Sequence, residues 1–359
     1  MPLAKIDIHS HFLPDFYRQA LLDNGHEHPD GMPGPPRWSE ELHLEMHRET
    51  GVKKSILSIS SPGTHLVPGQ DALARRLARR CNEFAADLKN RRPEQFGFFA
   101  TLPLPDIQGS IEEIEYCSEN LNPDGFSFLT NHHGHYIGDA LFEPVFAALN
   151  ARNAIVFIHP TTPCTKTLDS NNNNNNNNNN TTSCIPATPL APLYPRPMFE
   201  FFFDSARCYI NLFLQGLITR HPRITYTITH AGGVLPPLLD RFSSIPALLK
   251  PPGMDLSVSP TVVRERLLSD QFFFDTAGWS LPNQIAMFRV YFDGFGSGNG
   301  SSEAWRKFVY GSDFPWTPLG GVCALSEEHE RYLDQIFPGK TEDIGTRNAE
   351  RLLARGRRR

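Results

Sequence analysis

Eight short runs of apolar and β-branched residues, each trailed by a longer stretch of helical character, limit what this 359-residue chain can fold into. The runs are Lys5–Ile8, Lys54–Ser58, Phe96–Ala100, Gly125–Leu129, Ala154–Ile158, Thr225–Thr229, Phe272–Asp275 and Lys307–Tyr310. Helical patterns such as Asp71–Lys89, Ile107–Asn120 and Phe142–Arg152 lie between them. Strand and helix in alternation imply parallel pairing, because parallel neighbours need a long crossover that is usually a helix. Eight such units let the sheet close on itself. The pattern therefore predicts a (β/α)8 barrel of TIM type in one domain, 1–359, although a doubly wound open sheet would give a similar string.

Two segments interrupt the alternation. Asn24–Trp38, rich in Gly, Pro and His, follows the first strand and is expected to form a lid-like insertion. After the fifth strand, residues 165–197 form a long loop around the uninterrupted run Asn171–Asn180, which cannot bury apolar area and is expected to be disordered.

Composition excludes several function classes. A net charge of −5 leaves no electrostatic footprint for nucleic acid, and the basic tail Arg355–Arg359 reads as a solvated terminus. No apolar stretch approaches the roughly 20 residues that span a bilayer, so no membrane partner is expected. No apolar leader follows Met1, and the six cysteines show no C-x-x-C spacing. They read as reduced thiols of a cytoplasmic protein, with Cys164 and Cys184 able to pair only in an oxidising compartment.

Polar residues of one chemical type stand at four strand ends. His9 and His11 close the first strand, His159 the fifth and His230 the sixth, while Asp313 follows the eighth in Gly-Ser-Asp-Phe-Pro. In a closed barrel these ends meet at the C-terminal mouth, where the fold places its chemistry. Three imidazoles and a carboxylate suit one divalent cation, with positions left for water or substrate. Singly, each residue has an ordinary reading: His-x-His recurs by chance, and Asp313 could be a turn residue. Their joint placement on strands 1, 5, 6 and 8 points to a metal site.

Other candidates are weaker. His132, His133 and His135 fall in a loop after the fourth strand and read as substrate-facing or surface residues. His26 and His28 could reach substrate from the lid, and Asp275 could line the mouth. The clusters Phe199–Phe203 and Phe272–Phe274 read mainly as core. Asp204 and Arg207, three apart, could form an ion pair at the site entrance. Trp38, Trp279, Phe314 and Trp316 would suit a planar aromatic ring.

Taken together, Ile6-Asp-Ile-His-Ser-His-Phe-Leu-Pro14, Phe157-Ile-His-Pro160, the stretch from Gly216 to Thr229-His-Ala-Gly-Gly233, and Val309-Tyr-Gly-Ser-Asp-Phe-Pro-Trp316 resemble the amidohydrolase superfamily. The resemblance is to the branch containing aminocarboxymuconate-semialdehyde decarboxylase, with His11–Tyr17 and Pro35–Trp38 similar to the fungal 6-methylsalicylate decarboxylase group. It implies a barrel of the metal-dependent hydrolase type and a mononuclear site with His9, His11, His159 and Asp313 as ligands. His230 would stand beside them as a catalytic residue, with Asp313 as the other candidate proton donor. Zn²⁺ is the expected ion and Mn²⁺ the alternative. A small aromatic carboxylic acid is the implied substrate, losing CO₂ to give a phenol in secondary metabolism, and a homodimer the implied assembly. The fourth strand ends in Leu129-Thr130 with no lysine to be carbamylated, which argues against a bridged binuclear centre. Resorcylate-type members of the branch carry Glu where this chain has His9 and Gly233. Hydrolysis of a lactone or amide on the same barrel is the rival enzymatic reading, and a non-catalytic binding barrel the rival of another class.

Overall fold

A run such as Ile155-Val-Phe-Ile-His159 is too short for a three-turn helix and too uniformly apolar for a half-exposed strand. In the computed structural model, which describes residues 2–167, 183–188, 193–249, 258–278, 282–294 and 302–356, all five of its residues are buried in a parallel sheet. Each of the eight runs forms a strand: β1 (Lys5–His11), β2 (Val52–Ser58), β3 (Phe96–Thr101), β4 (Gly125–Leu129), β5 (Ile155–His159), β6 (Thr225–Ile228), β7 (Phe272–Asp275) and β8 (Phe308–Val309). Consecutive strands pair in chain order, every pairing parallel. Closure follows from Ile8 N–H donating to the Tyr310 carbonyl at 2.9 Å and Asp313 N–H donating to the His9 carbonyl at 2.9 Å. The sheet is thus a barrel rather than an open doubly wound sheet.

Ile8, Ile56, Phe99, Ile155, Phe157, Phe273 and Val309 fill the interior. Each fully buried side chain of this size contributes about 1.5–3 kcal/mol relative to exposure. The helix Asn348–Gly356 closes the N-terminal end of the barrel through Ala349, Leu352 and Leu353. Arg355 on that helix is not a solvated tail residue as the sequence suggested: its Nε donates to Thr225 Oγ1 at 2.8 Å.

Segment 24–38 lies over the mouth side of the barrel. A single turn at Pro29–Gly31 places the Asp30 carboxylate where it accepts from Thr162 N–H at 3.1 Å, just beyond β5. The Asn run and Trp279 lie outside the described residues. Cys164, on a hairpin formed by 164–167 and 183–186, is disulfide-bonded, whereas Cys81, Cys117, Cys208 and Cys323 carry free thiols. The expectation of six reduced cysteines therefore fails at Cys164. No described helix is long and apolar enough to cross a membrane.

Candidate metal centre

Alternate residues of a strand share a face, so Phe157 and His159 both point to the barrel axis from β5. In β1 the register against β2 slips between Asp7 and Ser10, a local irregularity of the kind that re-aims side chains beside active sites. It allows both Ile8, packed in the interior, and His9, whose ring meets Phe157 edge-on at 5.0 Å, to face inward. His9, His11 and His159 thereby converge, with ring centroids 4.9–5.1 Å apart. Asp313 Oδ1 completes the group, 3.2 Å from His11 Nε2 and 3.5 Å from His9 Nε2. One ligand atom from each of the four lies within 4.8 Å of the others. His230 stands at the side, its ring 4.9 Å from that of His9.

The tautomers make this a cation site. His9 Nδ1 is bonded to the Asp275 carboxylate (3.0 Å), His11 Nδ1 to the Ser58 carbonyl (3.2 Å) and His159 Nδ1 to the Pro160 carbonyl (2.6 Å). Carbonyls and carboxylates only accept, so each Nδ1 carries the hydrogen and each Nε2 keeps a lone pair when neutral. Two such lone pairs, on His9 and His11, would then face each other at 3.1 Å with a carboxylate oxygen beside them. That arrangement is repulsive unless a positive charge sits among them.

Without a metal ion, a proton on His9 supplies that charge. Burial would lower the His9 pKa, but the Asp275 carboxylate against Nδ1, with help from Asp313, lifts it to about 10. Burial keeps His11 below its ordinary value, and burial with the neighbouring His11 and His9 keeps His159 well below. Burial alone would raise Asp313, yet the adjacent His11 and His9 imidazoles hold it well below the usual carboxylate range. A divalent ion binding here displaces the His9 proton. Apparent affinity for Zn²⁺ or Mn²⁺ is therefore expected to rise about tenfold per pH unit between pH 6.5 and 9. The His9 pKa is raised on folding, so the proton's stabilising contribution is complete below pH 6.5 and is lost as pH climbs through about 10. The metal-induced rise in Tm should grow across that window. Calorimetric titration and thermal scans at several pH values check both.

Behind the ligands, two buried carboxylates hold the geometry. Asp275 Oδ2 fixes His9, while Oδ1 accepts from the backbone N–H of His230 (2.9 Å) and of Ala277 (3.0 Å). Asp7 accepts from Ser312 N–H (3.0 Å), Ser312 Oγ (2.6 Å) and His9 N–H (3.1 Å), tying β1 to the turn that carries Asp313. Burial pushes the Asp7 carboxyl up to about 7 against these hydrogen bonds. His230 and Asp313 both have left-handed backbone, at φ 52° and 58°, strain that non-glycine residues hold mainly at functional sites. Gly311 lets β8 approach: a Cβ there would lie 2.8 Å from His9 Cβ. A side chain at Gly233 would meet the Phe202 carbonyl at 2.5 Å.

All five residues singled out at the strand ends come together at the mouth. Asp275 lies beneath the ligands rather than lining the mouth, and is fully buried. The Phe199–Phe203 cluster divides: Phe201 meets His159 edge-on at 5.9 Å and Phe202 flanks His230 at 5.7 Å, whereas Phe199 and Phe203 are exposed. Phe272–Phe274 are core as expected. Asp204 forms no ion pair with Arg207; its carboxylate accepts from the hydroxyls of Thr130 and Tyr136, while Arg207 sits over the Tyr136 ring at 5.0 Å. Trp38 and Phe314 are buried against His43 rather than facing the mouth, and Trp316 is half-buried. His28 turns to the Met32 and Pro33 carbonyls, while His26, His132 and His133 line a cavity of about 320 Å³ beside the mouth. Sequence reading gave Asp7 and Ser312 no role, although Asp7 precedes His9 and His11 at the same spacing of two that separates them.

A parallel barrel whose mouth gathers three imidazoles, a carboxylate and a flanking histidine defines the class of barrels equipped to hold one divalent cation. Within that class, the chain belongs to the amidohydrolase family, which matches residues 6–253. It is 33% identical to the 6-methylsalicylic acid decarboxylase of Penicillium expansum, over 92% of this chain and 90% of that protein. A solved amidohydrolase II superposes with a TM-score of 0.79 at 28% identity, covering 98% of this chain and all of the other. A dihydroxybenzoic acid decarboxylase from Polaromonas sp. JS666, solved with bound manganese and 2-nitroresorcinol, shares the fold at TM-score 0.70 and 18% identity, covering 99% and 97% of the two chains.

Proposed function

We propose that this chain is a metal-dependent, non-oxidative decarboxylase of a salicylate-type aromatic acid of the 6-methylsalicylate kind, releasing CO₂ and a phenol. The carrying observation is the set of three Nε2 atoms and one carboxylate oxygen converging at a mouth walled by Phe201 and Phe202. Kinship over nine-tenths of the chain with a 6-methylsalicylic acid decarboxylase supports the same reading. His9, His11, His159 and Asp313 would hold one divalent ion. Zn²⁺ is our first assignment on the imidazole-rich ligand set, and the manganese of the Polaromonas neighbour makes Mn²⁺ the alternative. When bound, the ion supplies a chelating centre for the acid's carboxylate and adjacent phenolic oxygen and stabilises charge on them.

The chain's own groups supply the rest. Replacing CO₂ by hydrogen requires one proton at the ring carbon that bears the carboxylate. As a ligand, Asp313 would have its carboxylate oxygen on the ion, which leaves His230 as the proton carrier we assign: its Nδ1 is bonded to the Ala277 carbonyl at 3.2 Å, so Nε2 can take up and deliver the proton. Phe201 and Phe202 pack against His159 and His230 and exclude water from that side. Thr130, where a carbamylated lysine would stand, is engaged by Asp204 and offers no bridge to a second ion. We place the protein in secondary metabolism and as a homodimer, with segment 24–38 capping the mouth; the disulfide at Cys164 is at odds with the reducing cytoplasm that the cysteine spacing suggested.

CO₂ release from 6-methylsalicylate and 2-hydroxybenzoate, measured beside hydrolysis of a dicarboxylate lactone after metal analysis, tests the reading. We expect one equivalent of Zn²⁺ or Mn²⁺, CO₂ from at least one acid, and no lactone opening. Lactone opening without CO₂ release would make the chain a hydrolase.

A further inference from the structure

His9 and His11 point into the barrel, so Ser10 between them points outward, where it meets His43 of the helix Glu40–Thr50. That helix buries two histidines one turn apart, His43 and His47, and neither is among the converging ligands. Burying a polar ring costs free energy unless its nitrogens are hydrogen-bonded. The partners of these two rings therefore show what the helix face is for.

His43 is fully buried, with its ring edge-on to Phe314 at 5.1 Å and to Phe96 at 5.4 Å. Both of its nitrogens are engaged. Trp38 Nε1 lies 3.0 Å from Nδ1, and Ser10 Oγ lies 3.2 Å from Nε2. An indole N–H only donates, so Nδ1 accepts and the ring hydrogen of the neutral imidazole sits on Nε2. His43 therefore donates to Ser10 Oγ. The Ser10 hydroxyl sends its own hydrogen to the Phe314 carbonyl at 3.5 Å. That carbonyl also accepts from the backbone N–H of the ligand His11 at 2.7 Å, and its residue directly follows the ligand Asp313. The chain from Trp38 through His43 and Ser10 to Phe314 thus has one direction, set by the indole. It ends where β1 joins the turn that carries Asp313.

His47 does the same one turn on. Its Nε2 lies 2.8 Å from Ser55 Oγ, which donates to Asp7 Oδ2 at 3.4 Å. Asp7 in turn accepts from His9 N–H and from Ser312. One helix face therefore reaches both points at which β1 is tied to the Asp313 turn.

We propose that His43 is a positioning residue for the metal centre: by donating to Ser10 it commits the Ser10 hydroxyl to Phe314 and so holds His11 against Asp313. Because Trp38 sets the His43 tautomer, the end of segment 24–38 belongs to the same support. The inference rests on the ligand assignment of the proposed function but not on its reaction, so it is read on metal binding.

Calorimetric Mn²⁺ affinity of the full chain, with the Tm of the metal-free protein alongside, tests it. His43→Phe keeps a ring between Phe96 and Phe314 but removes both hydrogen bonds, and should weaken Mn²⁺ binding about tenfold, the low end for lost support behind a ligand. Ser10→Ala should cost about as much, and the double variant no more than either alone, because both act through one path. Trp38→Phe, which removes the indole N–H, should weaken binding in the same direction. Should His43→Phe not fold, Ser10→Ala and Trp38→Phe carry the same cycle. Nitrogen-15 NMR of the wild type should show His43 as the Nε2–H tautomer. Unchanged Mn²⁺ affinity in the variants, even with a lowered Tm, marks a packing role and overturns the proposal. So do losses that multiply to about a hundredfold in the double variant, or an Nδ1–H tautomer at His43. If the wild type binds no divalent ion, the ligand assignment fails and the positioning role falls with it. If wild type and variants bind the ion alike, the ligand assignment stands and only the positioning role fails.

Discussion

Changing His230 to alanine should leave the protein with its full complement of metal and lower kcat by 10²–10⁴-fold, the range general acid catalysis supplies. His230 is not among the four converging ligands, so their Nε2 and carboxylate atoms are untouched by the change. Its backbone N–H to Asp275 survives the substitution, so the turn that follows β6 keeps its anchor. What disappears is the Nε2 proton carrier beside the ring carbon. Burial and the neighbouring His9 lower the His230 pKa, so the protonated fraction falls as pH rises. The wild-type rate should accordingly decline on the alkaline side, and the residual rate of the variant should lack that limb. Metal analysis and a pH–rate profile of both proteins check the assignment. A variant that decarboxylates within a few-fold of wild type would remove His230 from the mechanism.

Much of this site was legible in the chain because barrel chemistry sits at strand ends. His9, His11, His159, His230 and Asp313 each terminate or follow an apolar run, and parallel closure brings such termini together whatever lies between them. Strand limits were equally readable: Gly125–Leu129 and Phe272–Asp275 coincide with the sequence runs, since full burial on both faces leaves continuous apolar stretches. What the sequence hid was partnership. Nothing in Phe-Phe-Phe-Asp275 says that its carboxylate reaches His9 across 266 positions. Asp204 looked paired to Arg207 because they are three apart on a helix, yet buried hydroxyls from the loop after β4 took its oxygens instead. Burial order also decides among aromatics. Phe201 and Phe199 are hard to tell apart in the run Phe199-Glu-Phe-Phe-Phe203, but Phe201, inside the helix, meets His159 while Phe199, just ahead of it, is exposed. The solvated reading of Arg355 failed for the same reason: the basic run begins on a helix that plugs the barrel floor.

Asp275→Asn, a change of one atom, should cost more than its size suggests: at least about 100-fold in metal affinity and about 10³–10⁴-fold in activity. The carboxylate accepts three hydrogens, one from His9 Nδ1 on Oδ2 and two from the His230 and Ala277 backbones on Oδ1. An amide cannot serve all three in either orientation. With its NH₂ toward His9, the ring must shift its hydrogen to Nε2, where it points at His11 and Asp313 in place of the lone pair that would bind the ion. With its NH₂ toward the backbone, two N–H groups face it with no acceptor, and the turn carrying His230 loses its anchor. Loss of a partner behind a metal ligand commonly costs 10–100-fold in affinity, and a wrong imidazole tautomer about 10⁴-fold in turnover in the serine protease triad. Here both act through one atom. Asp275→Ala removes the acceptor without imposing a donor, so His9 stays free to adopt either tautomer and that variant should bind metal more tightly than Asp275→Asn. Metal affinity measured for the pair decides it. If Asp275→Asn binds as tightly as wild type, the carboxylate does not set the His9 tautomer, and the lone-pair argument for the whole centre fails with it.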